Sequence, residues 1–428
     1  MANIAIIGTG YVGLTTGACF ASLGHDVICA DIDQEKIDKL NSGKIPIVED
    51  GLADLVASGI SNGNLKFILG SENAVKFCDV AFLCVPTPQN DDGSANLNYV
   101  LDAAKQISKY LPPNSIVVNK STVPVGSTVL VSNALNRPDV AVVSNPEFLR
   151  EGSAVSDFFN PDRVVVGCDD FIAADTVADL YSKISPKKIL VTDPQSAELI
   201  KYASNAFLAV KLSFINSVAE MCENAGCNID DVSFGMGLDG RIGSQFLKAG
   251  PGWGGSCFPK DTRALLHMSK KLDCSFDLLH SAIETNNHQF ERIAQKILSM
   301  IDSRVTEKIV AVWGLTFKAG TDDLRDSPAL SIIENLVQRG VKIVAYDPTV
   351  RKNHQANLEN LQIADTAVSA IKNAHVLAVL TEWQEFSDID PSIVASEMSV
   401  PVVFDARNIL DKNLWVGSGV MYSAIGHQ

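Results

Sequence analysis

The chain has 428 residues, which at ~150 residues per domain implies two or three domains. With 46% hydrophobic and 20% charged residues it falls among ordinary globular chains, which excludes disordered and collagen-like classes. Lys and Arg total 35 against 50 Asp and Glu, and the net charge of −15 repels phosphate backbones and anionic lipid, so neither nucleic acid nor a membrane is an expected partner.

From the N-terminus, Asn3 to Ile7 is a short apolar run read as a strand. It leads into Gly8-Thr9-Gly10-Tyr11-Val12-Gly13, a helical pattern closing near Gly24, and a second strand from Asp26 to Asp31. Strand-like runs at Val80 to Val85, Ser115 to Asn119 and Val140 to Ser144 alternate with helix-length segments such as Tyr99 to Tyr110. Such alternation implies a mostly parallel sheet.

Between Asp193 and Gly226 the pattern becomes one long helix, with Asp193 as N-cap, Pro194 at the first helical position and Gly226 as the stop. About 32 residues at ~1.5 Å each span nearly ~50 Å, more than one domain. Leu199, Ala206, Phe207, Val210, Phe214, Ile215, Val218 and Cys222 make it apolar over more than one stripe. Burial between domains or between subunits follows, with a homodimer as the corollary.

Later in the chain the opening pattern returns as strand Lys308 to Gly314, helix Ser327 to Arg339 and strand Val341 to Tyr346, ending in Asp347. Ser327 and Pro328 suit a helix N-cap and first turn, and His375 to Thr381 and Val402 to Asp405 supply further strands. The predicted fold class is therefore α/β, with two Rossmann-like parallel-sheet domains joined by a long central helix and a helical middle domain. The expected boundaries are 1–193, 194–300 and 301–428. A cleft between the two lobes is the expected active site.

Nine cysteines, with no C-x-x-C pair and most of them in apolar runs, suggest reduced thiols. No basic leader precedes Asn3 and no stretch approaches ~18 uninterrupted apolar residues, so a cytoplasmic protein is expected. His25, His267, His280, His288, His354, His375 and His427 form no ligand cluster, and no metal site is predicted.

The spacing Gly8-x-Gly10-x-x-Gly13 after a strand and before a helix allows a tight turn, backbone approach to a pyrophosphate and close helix packing. Asp31, ending the second strand, completes the fingerprint by accepting from a ribose diol. Its charge repels a 2′-phosphate, which favours NAD over NADP, although Lys36 weakens that argument. In the second lobe Gly314 to Gly320 lacks this spacing and carries Lys318, with Arg325 further on; a phosphate site and a solvated helix start fit equally.

Gly250-Pro-Gly-Trp-Gly-Gly-Ser-Cys257-Phe-Pro-Lys260-Asp261 packs four glycines around a cysteine. Close approach is possible there, and Lys260 would favour a thiolate if its ammonium pointed inward. Cys257 is the candidate nucleophile, and the other eight cysteines read as small buried hydrophobes. Lys201 and Asn205 share one helical face, as a site or an exposed stripe. Asn145 to Gly152 follows a strand at the end where open α/β sheets bind ligands. Glu147 and Glu151 there are acid/base candidates or solvated loop charges.

Together with Ser121-Thr122-Val-Pro-Val-Gly126 and Asp405-Ala-Arg407, these motifs resemble the nucleotide-sugar 6-dehydrogenases of the UDP-glucose/GDP-mannose dehydrogenase family, in order along essentially the whole chain. Ser256-Cys257-Phe258-Pro259-Lys260-Asp261 is like the UDP-glucose group. The resemblance implies a four-electron oxidation in which two NAD molecules convert UDP-glucose to UDP-glucuronate through a thiohemiacetal and a thioester on Cys257. A thioester needs a nucleophile that is also a good leaving group, which suits cysteine better than serine.

By motif position, Lys201 and Asn205 would surround the oxyanion and reacting hydroxyl, Asp261 would hold or activate water, and Glu147 would be the base for thioester hydrolysis. Thr122 and Glu151 match residues near water and cofactor. Gly8, Gly10, Tyr11, Val12, Gly13, Asp31, Lys36, Thr87, Lys260 and Arg325 match the NAD side. Phe148, Leu149, Phe246, Leu247, Gly254, Phe317, Lys318 and Arg407 match the nucleotide-sugar side, and Arg241 an arginine donated by a neighbouring subunit. The competing readings are the same chemistry on GDP-mannose or a UDP-N-acetylhexosamine, a one-step β-hydroxyacid-type dehydrogenase with a structural Cys257, and a non-catalytic nucleotide sensor.

Overall fold

Along β1 (Asn3–Ile7) alternate residues face opposite helical layers. Ile4 and Ile6 join one buried cluster and Ala5 and Ile7 another, the arrangement of a strand covered on both faces. This computed structural model describes residues 1–184, 188–350 and 360–427, and these divide into two compact units. The first comprises residues 1–204 and 263–274, the second residues 205–262 and 275–428.

In the first unit β2 (Asp26–Asp31), β3 (Leu65–Leu69), β4 (Val80–Leu83), β5 (Ile116–Asn119), β6 (Ala141–Ser144), β7 (Val164–Gly167) and β8 (Ile189–Thr192) complete a sheet with β1. Their order is β3-β2-β1-β4-β5-β6-β7-β8, parallel except between β6 and β7. Strand order reverses at β1 and β4, which opens a crevice at their C-terminal ends. Gly8 and Thr87 lie just beyond those two ends.

The second unit repeats the plan with β9 (Ile309–Trp313), β10 (Lys342–Tyr346), β11 (Leu361–Ile363), β12 (Val376–Val379), β13 (Val402–Asp405) and β14 (Met421–Ala424), ordered β11-β10-β9-β12-β13-β14. Val310 and Val312 face one cluster, Ala311 and Trp313 the other. The α/β class and both parallel sheets thus agree with the reading of the sequence.

Both sheets lock the first turn with the same device. Asp31 at the end of β2 accepts from Thr9 N and Thr9 Oγ1 at 2.9 and 2.6 Å. Asp347 after β10 accepts from Leu315 N and Thr316 N at 2.8 and 3.1 Å. Trp383 Nε1 also donates to Asp347 at 3.2 Å, and Asp347 is 1% exposed. Its carboxylate thus takes part in holding the turn of the second sheet.

Helix Pro194–Ala225 has the expected length of 32 residues. Asp193 Oδ1 accepts from Ser196 N at 2.7 Å, and Cys222 O accepts from Gly226 N and Cys227 N at 2.9 and 3.0 Å, closing the helix at a left-handed Gly226. Within its own chain the expected burial is incomplete, since Phe207 and Phe214 remain 64% and 51% exposed.

Two further expectations are corrected. Cys227 and Cys274 are exposed and Cys168 half-buried, because Cys227 and Cys274 follow helix ends where the chain turns outward. Ser327 does occupy the N-cap of helix Pro328–Val337, but its hydroxyl donates to Leu315 O at 2.6 Å instead of capping.

Candidate active site

The first glycine turn is built for a close ligand. Gly8 has φ of +99°, a Cβ on Gly13 would lie 1.9 Å from Gly8 O, and a Cβ on Gly10 would meet nothing within 4 Å. Helix Tyr11–Ser22 therefore packs tightly while its N-terminus, with no side-chain cap, faces open space at Gly10. Burial would raise Asp31, but the Thr9 hydroxyl, the Thr9 amide and Lys36 hold its carboxyl below the ordinary range. Lys36 Nζ lies 3.0 Å from Asp31 Oδ2. These residues fit a dinucleotide with an unphosphorylated ribose.

Half-buried Tyr11 opens that helix beside Val12 and donates its hydroxyl to Glu49. Gly152 N donates to Tyr11 Oη at 2.7 Å and to Glu49 Oε2 at 2.8 Å. Burial first and Glu49 second push the Tyr11 hydroxyl well up, so it stays neutral. The turn containing Glu151 is thereby tied to the glycine motif. Sequence spacing gave no sign of Glu49.

Deeper in the first unit, Lys201 Nζ donates to Glu147 Oε1 at 3.0 Å, with side chains only 4% and 5% exposed. Leu149 N donates to the other Glu147 oxygen at 2.7 Å. Burial alone would raise the Glu147 carboxyl; the charge and hydrogen bond of Lys201, the Leu149 amide and the charge of Lys120 outweigh it and hold Glu147 ionised. Lys201 Nζ also lies 5.4 Å from the centre of the Phe148 ring, whose other neighbour is Arg163 at 3.7 Å.

Thr87 and Thr122 are buried, Thr122 in the turn after β5. Ser121 Oγ donates to Val85 O at 2.7 Å, joining that turn to the end of β4. Glu198, one turn before Lys201, accepts from Gly126 N and Thr128 N at 2.6 and 2.8 Å and so moors the other end. Glu198 escaped the sequence reading, because an acid in a long helix pattern looks like solvated charge.

In the second unit Cys257 is the residue before helix Phe258–Lys271, and Cys257 O accepts from Asp261 N at 2.9 Å. Its sulfur, half-exposed, therefore sits at a helix N-terminus, where N–H groups and the helix dipole favour an anion. Ser256 Oγ is 3.6 Å from Cys257 Sγ. Asp261, 1% exposed, accepts from Asn205 Nδ2 at 2.7 Å and Lys260 Nζ at 2.5 Å. The ammonium of Lys260 is thus directed at Asp261.

Around this cluster a Cβ on Gly255 would lie 2.8 Å from the Phe317 ring, and one on Gly254 would lie 2.0 Å from Asp326 O, so the cysteine loop rests directly on the Phe317–Lys318 loop. Arg407 holds that loop from behind, donating to Phe317 O at 2.8 Å and Leu380 O at 2.9 Å and pairing with Glu382 at 3.0 Å. Lys318 Nζ lies 5.5 Å from the Phe317 ring centre. Phe246 stands at φ +62°, a strained setting for an aromatic, with its ring 6.2 Å from that of Phe258; adjacent Leu247 is buried in the core.

Arg325 and Arg241 are exposed and pair with Asp323 and Asp239, at 2.7 and 2.6 Å. Among the described residues no group of three potential metal ligands occurs, and no helix is long and apolar enough to cross a membrane. His354 lies outside the described residues.

Three family models match in succession: the NAD binding, central and UDP binding domains of the UDP-glucose/GDP-mannose dehydrogenase family, at residues 2–185, 195–288 and 311–412. The chain belongs to the UDP-glucose/GDP-mannose dehydrogenase family. It is 43% identical to a UDP-glucose 6-dehydrogenase of Rhizobium meliloti (strain 1021), over 99% of each chain. A UDP-glucose dehydrogenase structure from Pyrobaculum islandicum aligns with TM-score 0.91 and 34% identity, covering 100% of this chain and 98% of that one. A UDP-D-ManNAc dehydrogenase from Pyrococcus horikoshii aligns with TM-score 0.86 and 29% identity, covering 99% of each chain.

The protein is accordingly an NAD-dependent oxidoreductase, and four-electron oxidation is its family's chemistry. Replacing Asp31 by alanine removes the carboxylate expected to accept from the ribose and frees Lys36. The expected result is a KM for NAD raised about 10- to 100-fold and a smaller preference over NADP. Initial rates of NADH and NADPH formation measure both; an unchanged KM for NAD would count against Asp31 as the acceptor.

Proposed function

We propose that this enzyme oxidises UDP-glucose to UDP-glucuronate, with Cys257 as covalent catalyst. The observation that carries the reading is Asp261, held by Asn205 and Lys260 one helical turn from Cys257 at a helix N-terminus. Identity of 43% over nearly the whole chain to a UDP-glucose 6-dehydrogenase supports this sugar over its relatives. A division at 1–193, 194–300 and 301–428 is part of the reading.

NAD, when bound, accepts one hydride in each of two oxidations at C6. The residues Gly8, Gly10, Tyr11, Val12, Gly13, Asp31, Lys36 and Thr87 would hold it, with Thr122, Glu151, Lys260 and Arg325 nearby. Between the oxidations the Cys257 thiolate adds to the C6 aldehyde, forming a C–S bond and placing negative charge on oxygen. Lys201 and Asn205 donate to that oxygen. After the second oxidation leaves a thioester, Glu147 takes a proton from water, hydroxide adds to the carbonyl, and the C–S bond breaks to return the thiolate. Asp261 orders the water. Phe148, Leu149, Phe246, Leu247, Gly254, Phe317, Lys318 and Arg407 would hold the nucleotide sugar, with aromatic faces for uracil and cations for the diphosphate.

A panel of UDP- and GDP-sugars assayed for NADH formation tests the assignment. UDP-glucose should turn over at least about tenfold faster per unit KM than the others, with two NADH per sugar. Preference for another sugar would reassign the substrate, and a single NADH would favour the one-step dehydrogenase.

A homodimer completes the proposal. Phe207, Phe214 and Met221 recur at seven-residue spacing on the central helix, each more than half exposed, and form an apolar face suited to a second copy. Arg241, 90% exposed, would then be available to the partner's site. Light scattering that gave a monomer mass at micromolar concentration would refute this. A reducing compartment such as the cytoplasm is also proposed, because the mechanism requires Cys257 as a free thiol.

A further inference from the structure

Glu147 faces two buried cations, and the mechanism above uses only one of them. Lys120, the residue after β5, is 5% exposed, and its Nζ donates to Asn145 Oδ1 at 3.0 Å and Tyr181 Oη at 3.2 Å. Tyr181 in turn donates to Asn145 Oδ1 at 2.7 Å, and Asn145 Nδ2 donates to Val165 O at 2.7 Å. Asn145 N also donates to Asn119 O at 2.9 Å. The first residue of the turn that carries Glu147 is therefore fixed from β5, from β7 and from Tyr181.

The charges around Lys120 do not balance. Its electrostatic neighbours are Glu147 after β6, Cys84 after β4 and Lys201 on the central helix. Burial pushes the Cys84 thiol up to about 12 and the Tyr181 hydroxyl well above its ordinary value, so both stay neutral. One carboxylate is left to serve two ammonium groups. Burial, with Lys201 adding to it, accordingly brings Lys120 down to about 8 against the pull of Glu147.

We propose that Lys120 is a positioning residue for the reaction: its ammonium, held by Asn145 and Tyr181, is the second cation that keeps Glu147 ionised, and it fixes the turn that presents Glu147. The proposal rests on the reading of Glu147 as the base for thioester hydrolysis. Lys120 touches neither sugar nor cofactor in this role and acts through Glu147 alone. A purely structural lysine would lower the rate equally at every pH, whereas a lysine that sets the charge of Glu147 moves the acid limb of the profile.

The test is the pH dependence of acid release in single turnovers. Methionine at Lys120 removes an unbalanced buried charge at similar length, and Asn145 keeps its donor from Tyr181, so the fold should hold. Lys120→Met is expected to move the acid limb up by about one pH unit, so that release slows about tenfold on the acid side of the limb and little near neutrality. Lys120→Arg keeps the charge and should leave the limb in place. Tyr181→Phe removes one acceptor of the ammonium and should move the limb the same way by less, which provides a second reading should either lysine variant fold poorly.

A limb abolished by Glu147→Gln and shifted by Lys120→Met supports the proposal. A limb abolished by Glu147→Gln but unmoved by Lys120→Met, or moved equally by arginine, overturns it alone. A limb that persists in Glu147→Gln overturns the assignment of Glu147, and the proposal with it.

Discussion

Alanine at Cys257 is expected to reduce formation of the nucleotide-sugar acid by at least about a thousandfold, roughly 4 kcal/mol of transition-state stabilisation. In the proposed mechanism the thiolate is the group that turns an aldehyde, which has no alcohol left to oxidise, into a thiohemiacetal that has one. Without it the enzyme retains the first oxidation, and NADH per sugar should fall from two towards one, with aldehyde trapped by a carbonyl reagent. Serine at Cys257 should fail differently, since its alkoxide is a poor leaving group and any ester formed should persist and add the mass of the glycosyl nucleotide to the protein. Full conversion by Cys257→Ala, with two NADH per sugar, would reject covalent catalysis and leave the cysteine loop a structural role.

The plan of the fold was legible because it is written in short-range patterns. Apolar runs such as Val80 to Val85 and Val402 to Asp405 can satisfy both faces only inside a parallel sheet, and the glycine turn at Gly8 needs no distant partner to be recognised. Strand ends were read one or two residues too long, as at Val80–Leu83, because the apolar run continues into the crevice beyond the last ladder hydrogen bond. Phe207 and Phe214 were read correctly as apolar, but one chain does not say what covers them.

The candidate site was legible residue by residue and not pair by pair. Cys257 stands out among its glycines, yet the partner of Lys260 depends on how helix Phe258–Lys271 begins, and that sent its ammonium to Asp261. Glu147 and Lys201 are 54 positions apart, and only the folded sheet brings them to 3.0 Å. Lys120 was the least visible, because in sequence it ends the strand Ile116–Asn119 as surface lysines often do, and its burial comes from β6, β7 and Tyr181 arriving later in the chain. The second turn repeats the geometry of the first with one added bond: Asp347 accepts from Leu315 and Thr316 as Asp31 does from Thr9, and also from Trp383.

Replacing Lys201 by methionine should be costly twice over. It strips the nearer cation from a carboxylate that is 5% exposed, and loss of one partner from a buried pair costs about 3–5 kcal/mol. The lower end is expected here, because Lys120 still faces Glu147. Turnover should fall about 10²- to 10³-fold with the loss of the proposed donor to the oxyanion. The double variant Lys201→Met with Glu147→Gln removes the stranded carboxylate but leaves Lys120 without its counter-charge, so it should recover part of the stability and none of the activity, which separates the electrostatic penalty from the catalytic one.

The pH dependence has a definite sign. Glu147 is held below its ordinary value, so its pairing stabilises the wild type fully above the unfolded glutamate value near ~4.3, and that contribution is lost as pH falls through the depressed folded value. Denaturant melts taken from neutral to acid pH should therefore show the wild type and Lys201→Met far apart at neutrality and converging in acid, where the carboxyl is protonated in both. A single variant as stable as the wild type at neutral pH would mean that Glu147 does not depend on Lys201 for its charge, and the buried pair could not then be the arrangement that keeps a base ready beside the oxyanion donor.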